Sequence, residues 1–248
     1  MIRKNKSLAL KNIFQDTVFS IKENIQAFFY FWLIYGLTNY IFARIEKIDN
    51  VFFGIHLFVL YCFFFLFVRA YYNKKPLFDK NIFFLALGKF AVIILLAFFS
   101  IVVLKIGMEL AFLFAKSLAL FPDFYALLVS FYIKFKSSFY ALSLAYGISS
   151  LILMFTMFIP AFSWVSVVLG SDSSIIFTII ETKGNYTKLF LLYFTLFFLI
   201  PIILAKILLL LHIPYLLICL ISAAISVLQM VVYIQMHKQL FGSDNEEN

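Results

Sequence analysis

The chain has 248 residues, of which 65% are hydrophobic and 13% charged, and its formal net charge is +8. A soluble domain cannot bury so large an apolar fraction, so the composition predicts an integral membrane protein. Nucleic-acid binding is excluded because the basic residues are not gathered on a water-exposed fold. The two cysteines, Cys62 and Cys219, lie inside apolar runs without a Cys/His cluster, so no disulfide framework is expected.

Residues 1–25 are predicted to form a basic amphipathic helix on the membrane surface. Apolar residues recur every three or four positions, at Leu10, Phe14, Val18, Ile21 and Ile25. Lys11 and Lys22 fall between them, where they can meet anionic lipid headgroups. No cleavage site of small residues follows, so a removable signal peptide is not expected.

Residues 26–240 are predicted to form one transmembrane helical domain. Because a helix needs about 20 apolar residues to cross a bilayer, the all-α chain has room for about six spans, at 27–42, 51–68, 82–104, 138–169, 189–211 and 213–236. A surface helix is expected over 171–189, with a turn or helix cap at Gly184 and Asn185. Residues 241–248 read as a disordered acidic tail.

Two short apolar segments, 106–121 and 124–135, separated by Pro122 and Asp123, allow more than one interpretation. We predict that the first continues the third helix beyond the membrane and that the second is its interfacial hairpin partner. A re-entrant pair is the alternative.

Few polar residues lie at membrane depth. Lys105 and Glu109 are four residues apart and share a helix face. They predict an interfacial pair, or alternatively part of an ion or proton pathway. Lys206 is expected to extend towards the interface rather than to contact a substrate. His56 and His212 are isolated, so no metal site is expected.

The distribution of lysine and arginine predicts the orientation. Placing both chain ends in the cytoplasm puts about twice as many of these residues inside as outside. The sequence has no phosphate-binding loop, zinc-protease motif or nucleophile elbow, so no catalytic site or cofactor is expected.

A run of residues in the second half of the chain resembles a known family. Ile159-Pro160-Ala161-Phe162, an apolar run to Gly170, an amphipathic helix, and then the segment 181–192 (ETKGNYTKLFLL) follow in order. Over about residues 150–240 this pattern is similar to the YciC-like bacterial inner-membrane proteins. The resemblance implies about six membrane helices, a bacterial cytoplasmic-membrane location and no catalytic residues. A related arrangement accompanies some glycerophosphodiester phosphodiesterases, whose enzymatic portion is absent from this sequence.

Together these features predict a non-enzymatic inner-membrane protein with a role in envelope or lipid organisation. Its expected partners are membrane lipids with anionic headgroups, and membrane-protein partners are left open. The alternative is a small transporter or transporter subunit. This alternative is supported by the kinks expected at Pro160 and Pro201 and by the polar residues at membrane depth.

Overall fold

A computed structural model describes residues 7–45, 50–72, 74, 76–117, 126, 130, 151–171 and 173–242. Within these ranges the chain forms eight helices and no strand. They are α1 (Leu10–Glu23), α2 (Ile25–Ile45), α3 (Asn50–Tyr71), α4 (Lys80–Ser117), α5 (Leu151–Val168), α6 (Ile175–Glu181), α7 (186–210) and α8 (Tyr215–Phe241).

Five of these helices are long and apolar enough to cross a membrane. The qualifying stretches are Gly54–Tyr71, Lys80–Leu104, Leu151–Val168, Tyr186–Leu208 and Tyr215–Phe241. The prediction of an all-helical, multi-pass membrane protein is therefore confirmed. The first predicted span, 27–42, is not among these five and corresponds to α2, whose 21 residues reach about 31 Å but include Thr38 and Asn39. That length matches the hydrocarbon core of a bilayer.

Several predicted boundaries shift in the structure. Helix α4 runs without interruption to Ser117, as predicted for the first short segment after the third span. Helix α8 continues to Phe241, five residues beyond the predicted end, because its polar residues Gln235 and His237 are buried against neighbouring helices. Apart from residues 126 and 130, the predicted hairpin partner (124–135) lies outside the described residues, as do the start of the fourth span (138–150) and tail residues 243–248.

The predicted surface helix over 171–189 is divided into two elements. Ser174 caps α6 by accepting a hydrogen bond of 3.0 Å from the amide of Phe177. The predicted turn is present, since Gly184 has a φ of +92°, a region that glycine enters without steric cost. Helix α7 then begins at Tyr186, three residues before the predicted start of the fifth span.

Helices α8 and α5 organise the bundle. Helix α8 packs against α1, α2 and α5, whereas α5 also contacts α3, α4 and α6. Between α2 and α8 the backbones approach closely, because a Cβ atom added to Gly36 would lie 2.7 Å from Leu220 Cδ2 and 3.3 Å from Ala223 Cβ. Small residues at such contacts are typical of membrane helix pairs.

Candidate functional site

The start of α1 is attached to α7 and α8 by hydrogen bonds. The amide of Leu8 donates to Asn185 Oδ1 at 2.9 Å, and the amide of Ala9 donates to Gln239 Oε1 at 3.2 Å. Lys188 Nζ donates to the carbonyl of Leu8 at 2.7 Å and to Ser7 Oγ at 2.9 Å. These bonds join the N-terminal segment to the C-terminal part of α8, and we call this end of the molecule the α1 end.

The two faces of α1 differ in what they contact. Ile13 and Thr17 face the bundle and are buried, as is Leu8 just before the helix. The opposite face exposes three large apolar side chains, with exposed fractions of 48% for Phe14, 53% for Val18 and 61% for Phe19. Lys11 and Lys22 are exposed on either side of this apolar patch along the helix. An apolar face with lysines at its margins is typical of a helix at the membrane interface.

Arg69, near the end of α3, is buried at the α1 end. Its Nη1 donates to the carbonyl of Val168 at 2.9 Å, and its Nε and Nη2 donate to the carbonyl of Pro76 at 3.2 and 2.7 Å. Val168 is the last residue of α5, where a cation stabilises the negative end of the helix dipole. Arg69 thus fixes the loop after α3 onto the end of α5.

His237 is a second buried polar residue at the α1 end. Its Nε2 lies 2.9 Å from Ser166 Oγ, and its Nδ1 has no hydrogen-bond partner in the described part of the chain. The rings of Phe162 and Phe241 lie beside it, with centroid distances of 6.3 and 5.2 Å. The histidine therefore pairs α8 with α5 in apolar surroundings.

Two neighbouring membrane helices, α5 and α7, contain a π-helical turn. These turns cover Met154–Phe158 and Phe194–Leu199, and an isoleucine and a proline, Pro160 or Pro201, follow each of them. A proline ring clashes with the carbonyl four residues earlier, and a wider turn relieves that clash. Such turns occur frequently at functional sites.

Gln229 on α8 satisfies a carbonyl that the π turn of α7 leaves free. The amide of Ile200 donates to the carbonyl of Thr195, five residues earlier. In the same register Pro201 would donate to Leu196, but proline has no amide hydrogen. The side-chain amide nitrogen of Gln229 donates to the Leu196 carbonyl instead. A buried carbonyl at membrane depth thus gains a partner from another helix.

Tyr233 lies one turn further along α8 and contacts the π turn of α5. Its hydroxyl donates to the carbonyl of Phe158 at 2.7 Å, and its ring stacks on Phe162 with a centroid distance of 4.4 Å. Gln229 and Tyr233 therefore hold the two π turns on one face of α8.

A cavity of about 410 Å³ lies beside these π turns and is partly open to the outside of the bundle. Helices α3, α4, α5, α7 and α8 line it with mainly aromatic side chains, including Tyr61, Phe90, Trp164, Phe197 and Tyr233. Tyr61 and Phe90 lie ten residues from the α1 end of their helices, which corresponds to about 15 Å. That depth is close to the middle of a hydrocarbon core about 30 Å thick.

The predicted site residues whose side chains the structure describes, Lys11, Lys22 and Lys206, lie on two different helices. Lys11 and Lys22 are on α1, and Lys206 is exposed on α7 and does not line the cavity. Lys105 and Glu109 belong to α4, but their side chains lie outside the described part of the chain. Their pairing therefore stays a prediction.

A pattern in the sequence of α8 indicates which of its polar residues face other helices. Ser226, Gln229, Tyr233 and His237 recur at intervals of three or four in an apolar helix, which places them on one face. A polar stripe in a membrane helix indicates the side that faces other helices.

The described residues contain no group of three or more His, Cys, Asp or Glu side chains that could hold a metal ion. Comparison of the chain with protein-family models, with curated proteins and with solved structures gives no match. The resemblance to the YciC-like family therefore stays a prediction.

Proposed function

We propose that this protein is a non-enzymatic membrane protein with a role in envelope or lipid organisation, and that α1 is its contact with anionic headgroups. The observation that supports this most is the difference between the two faces of α1. One face is fixed to the bundle through Asn185, Lys188 and Gln239, while the other presents Phe14, Val18 and Phe19 between two lysines. Helix α1 itself contains two lysines and two acidic residues, but the sequence of residues 1–25 has five basic residues against two acidic ones. A helix in such a basic segment, held in this way, can bind the anionic headgroups of the adjacent lipid leaflet.

The arrangement of the buried polar groups favours a structural role over catalysis. Arg69 and Gln229 donate to main-chain carbonyls, and His237 bonds to Ser166. Gln235 Nε2 donates to Ser20 Oγ at 2.8 Å and to the Tyr71 hydroxyl at 2.6 Å, which ties α1 and α3 to α8. These polar side chains serve helix packing.

The proposed location is the bacterial cytoplasmic membrane, with both chain ends inside. The hydrogen bond between Ala9 and Gln239 supports placing the two ends on one side. Lys238, exposed at the same end with its Nζ 4.8 Å from the ring centre of Tyr72, adds to the positive charge there.

A small transporter is the second candidate, because two proline-interrupted helices border a cavity at membrane depth. The described lining of that cavity contains no charged side chain. Lys206, which would have to meet a substrate, is exposed elsewhere. These features favour the lipid role over transport of an ionic solute.

The selectivity of the full-length protein for spin-labelled phosphatidylglycerol over phosphatidylcholine tests the proposal. Each lysine near an anionic surface contributes about 1 kcal/mol, so the paired change Lys11→Glu and Lys22→Glu should abolish the selectivity. Added salt should weaken the selectivity of the unchanged protein.

Lys206→Glu is the matched control, since this lysine is exposed but lies far along α7 from Tyr186 at the α1 end. It should leave the selectivity unchanged. Equal selectivity in the Lys11/Lys22 variant and the unchanged protein would reject α1 as the headgroup contact.

A further inference from the structure

We infer that the aromatic cavity between α3, α4, α5, α7 and α8 binds one hydrocarbon tail of a membrane phospholipid. This inference goes beyond the headgroup contact proposed for α1 and does not depend on it. It rests on the size of the cavity, the chemistry of its walls and its depth in the bundle.

Four of the donor groups in the cavity wall are used within the protein, whereas the indole Nε1 of Trp164 has no hydrogen-bond partner among the described residues. The hydroxyl of Tyr61 donates to the carbonyl of Phe83 at 2.7 Å, and that of Ser226 donates to Ser222 at 3.1 Å. Gln229 and Tyr233 donate to the π turns. A bound water needs two to four polar partners, and a polar solute needs converging polar groups. Apart from these few groups the walls are apolar and mainly aromatic, which favours an apolar ligand.

The volume of the cavity is suited to one acyl tail. A volume of about 410 Å³ holds about 14 groups of the size of a water molecule, and a methylene group is of similar size. One acyl tail has this bulk, whereas both tails of a phospholipid exceed it.

The surrounding bilayer is a source of acyl tails for this cavity. Tyr61 and Phe90 place the cavity at the depth of lipid tails, and its partly open side gives those tails access. An empty cavity would leave its aromatic walls without dispersion contacts. A tail that enters recovers these contacts without breaking a hydrogen bond of the wall.

The two tryptophans of the chain provide a direct test. Trp164 lines the cavity and is only 4% exposed, whereas Trp32 lies on α2 and does not line it. Bromine atoms in an acyl chain quench tryptophan fluorescence on contact. The full-length protein with Trp32→Phe, reconstituted in vesicles of phosphatidylcholine brominated in its tails, should therefore lose about two-fold in emission relative to unbrominated vesicles, because a bound tail touches the indole.

Filling the cavity should remove this quenching. Ala161→Phe adds a ring from the α5 wall, and Ser226→Leu adds bulk from the α8 wall, so one variant serves if the other does not fold. Ala205→Phe, at an exposed position of α7 away from the cavity, is the matched control and should keep the full quenching.

Two results would overturn the inference. One is the absence of quenching in the Trp32→Phe protein. The other is quenching that persists in the folded cavity-filling variants, because the bromines would then reach Trp164 from the surrounding lipid. The vesicles contain only zwitterionic lipid, so failure of the anionic headgroup contact would leave this measurement unaffected.

Discussion

The hydroxyl of Tyr233 donates a hydrogen bond of 2.7 Å to the carbonyl of Phe158, the last residue of the π turn in α5. The two residues are 75 positions apart in the chain. One turn before Tyr233, Gln229 makes the corresponding contact with Leu196 in the π turn of α7. A single face of α8 thus supports both interrupted helices.

Replacing Tyr233 by Phe removes the hydroxyl but keeps the ring that stacks on Phe162. We expect the free energy of unfolding in detergent micelles to fall by about 1 kcal/mol, the typical contribution of such a hydrogen bond in a membrane protein. Tyr30→Phe, at a residue that is 63% exposed, should have no effect. An equal loss in both variants would show that the bond to Phe158 contributes nothing specific.

Gln229 and Pro201 should be energetically coupled through the carbonyl of Leu196. Gln229→Met leaves that carbonyl without its donor, whereas Pro201→Ala supplies the amide hydrogen that the π register requires. The loss of stability from Gln229→Met should therefore be smaller when Pro201→Ala is present. A double-mutant cycle of unfolding free energies should give a coupling of about 1 kcal/mol. Strict additivity would contradict this account of the π turn.

Gly36 should not tolerate a large side chain, because α8 lies too close to it. A Cβ atom there would already be 2.7 Å from Leu220 Cδ2 and 3.2 Å from Leu220 Cα. We expect Gly36→Leu to lower the free energy of unfolding by about 1–3 kcal/mol. Gly88→Leu on α4, where an added Cβ atom would have no atom of the described residues within 4 Å, should be neutral or stabilise by up to about 1 kcal/mol through helix propensity. Similar thermal stability of the two variants would contradict the close approach of α2 and α8.

The orientation can be tested with a reporter that is active only in the cytoplasm. Fused after Lys238, it should be active, because the α1 end contains most of the basic residues. Fused near Asp49, between α2 and α3, it should be silent. Activity at both positions, or only near Asp49, would reverse the proposed orientation.

Glu109 and Lys105 offer a test between the lipid role and transport. If the pair lies at the interface, Glu109→Gln should leave stability nearly unchanged, because water screens the charge. If the glutamate neutralises Lys105 inside the bundle, the same change should cost several kcal/mol, with partial rescue by Lys105→Met. We expect the first result. A coupling above about 2 kcal/mol in a double-mutant cycle of thermal stability would favour the transporter.

The sequence by itself determined the membrane class, the amphipathic character of α1 and the breaks in the helices. A bilayer demands long apolar segments with satisfied backbones, and proline and glycine act locally. The interruptions before Pro160 and Pro201 and the turn at Gly184 could therefore be read from neighbouring residues.

Only the tertiary structure decided which polar residues are buried and where the cavity lies. Arg69 meets Val168 across 99 positions, and Leu8 meets Asn185 across 177. In an apolar chain many helix pairings bury similar surfaces, since lipid tails compete equally well for them. The choice among these pairings depends on close packing and on the distant carbonyls that each polar side chain can reach. Neither of these is encoded in the local pattern of residues.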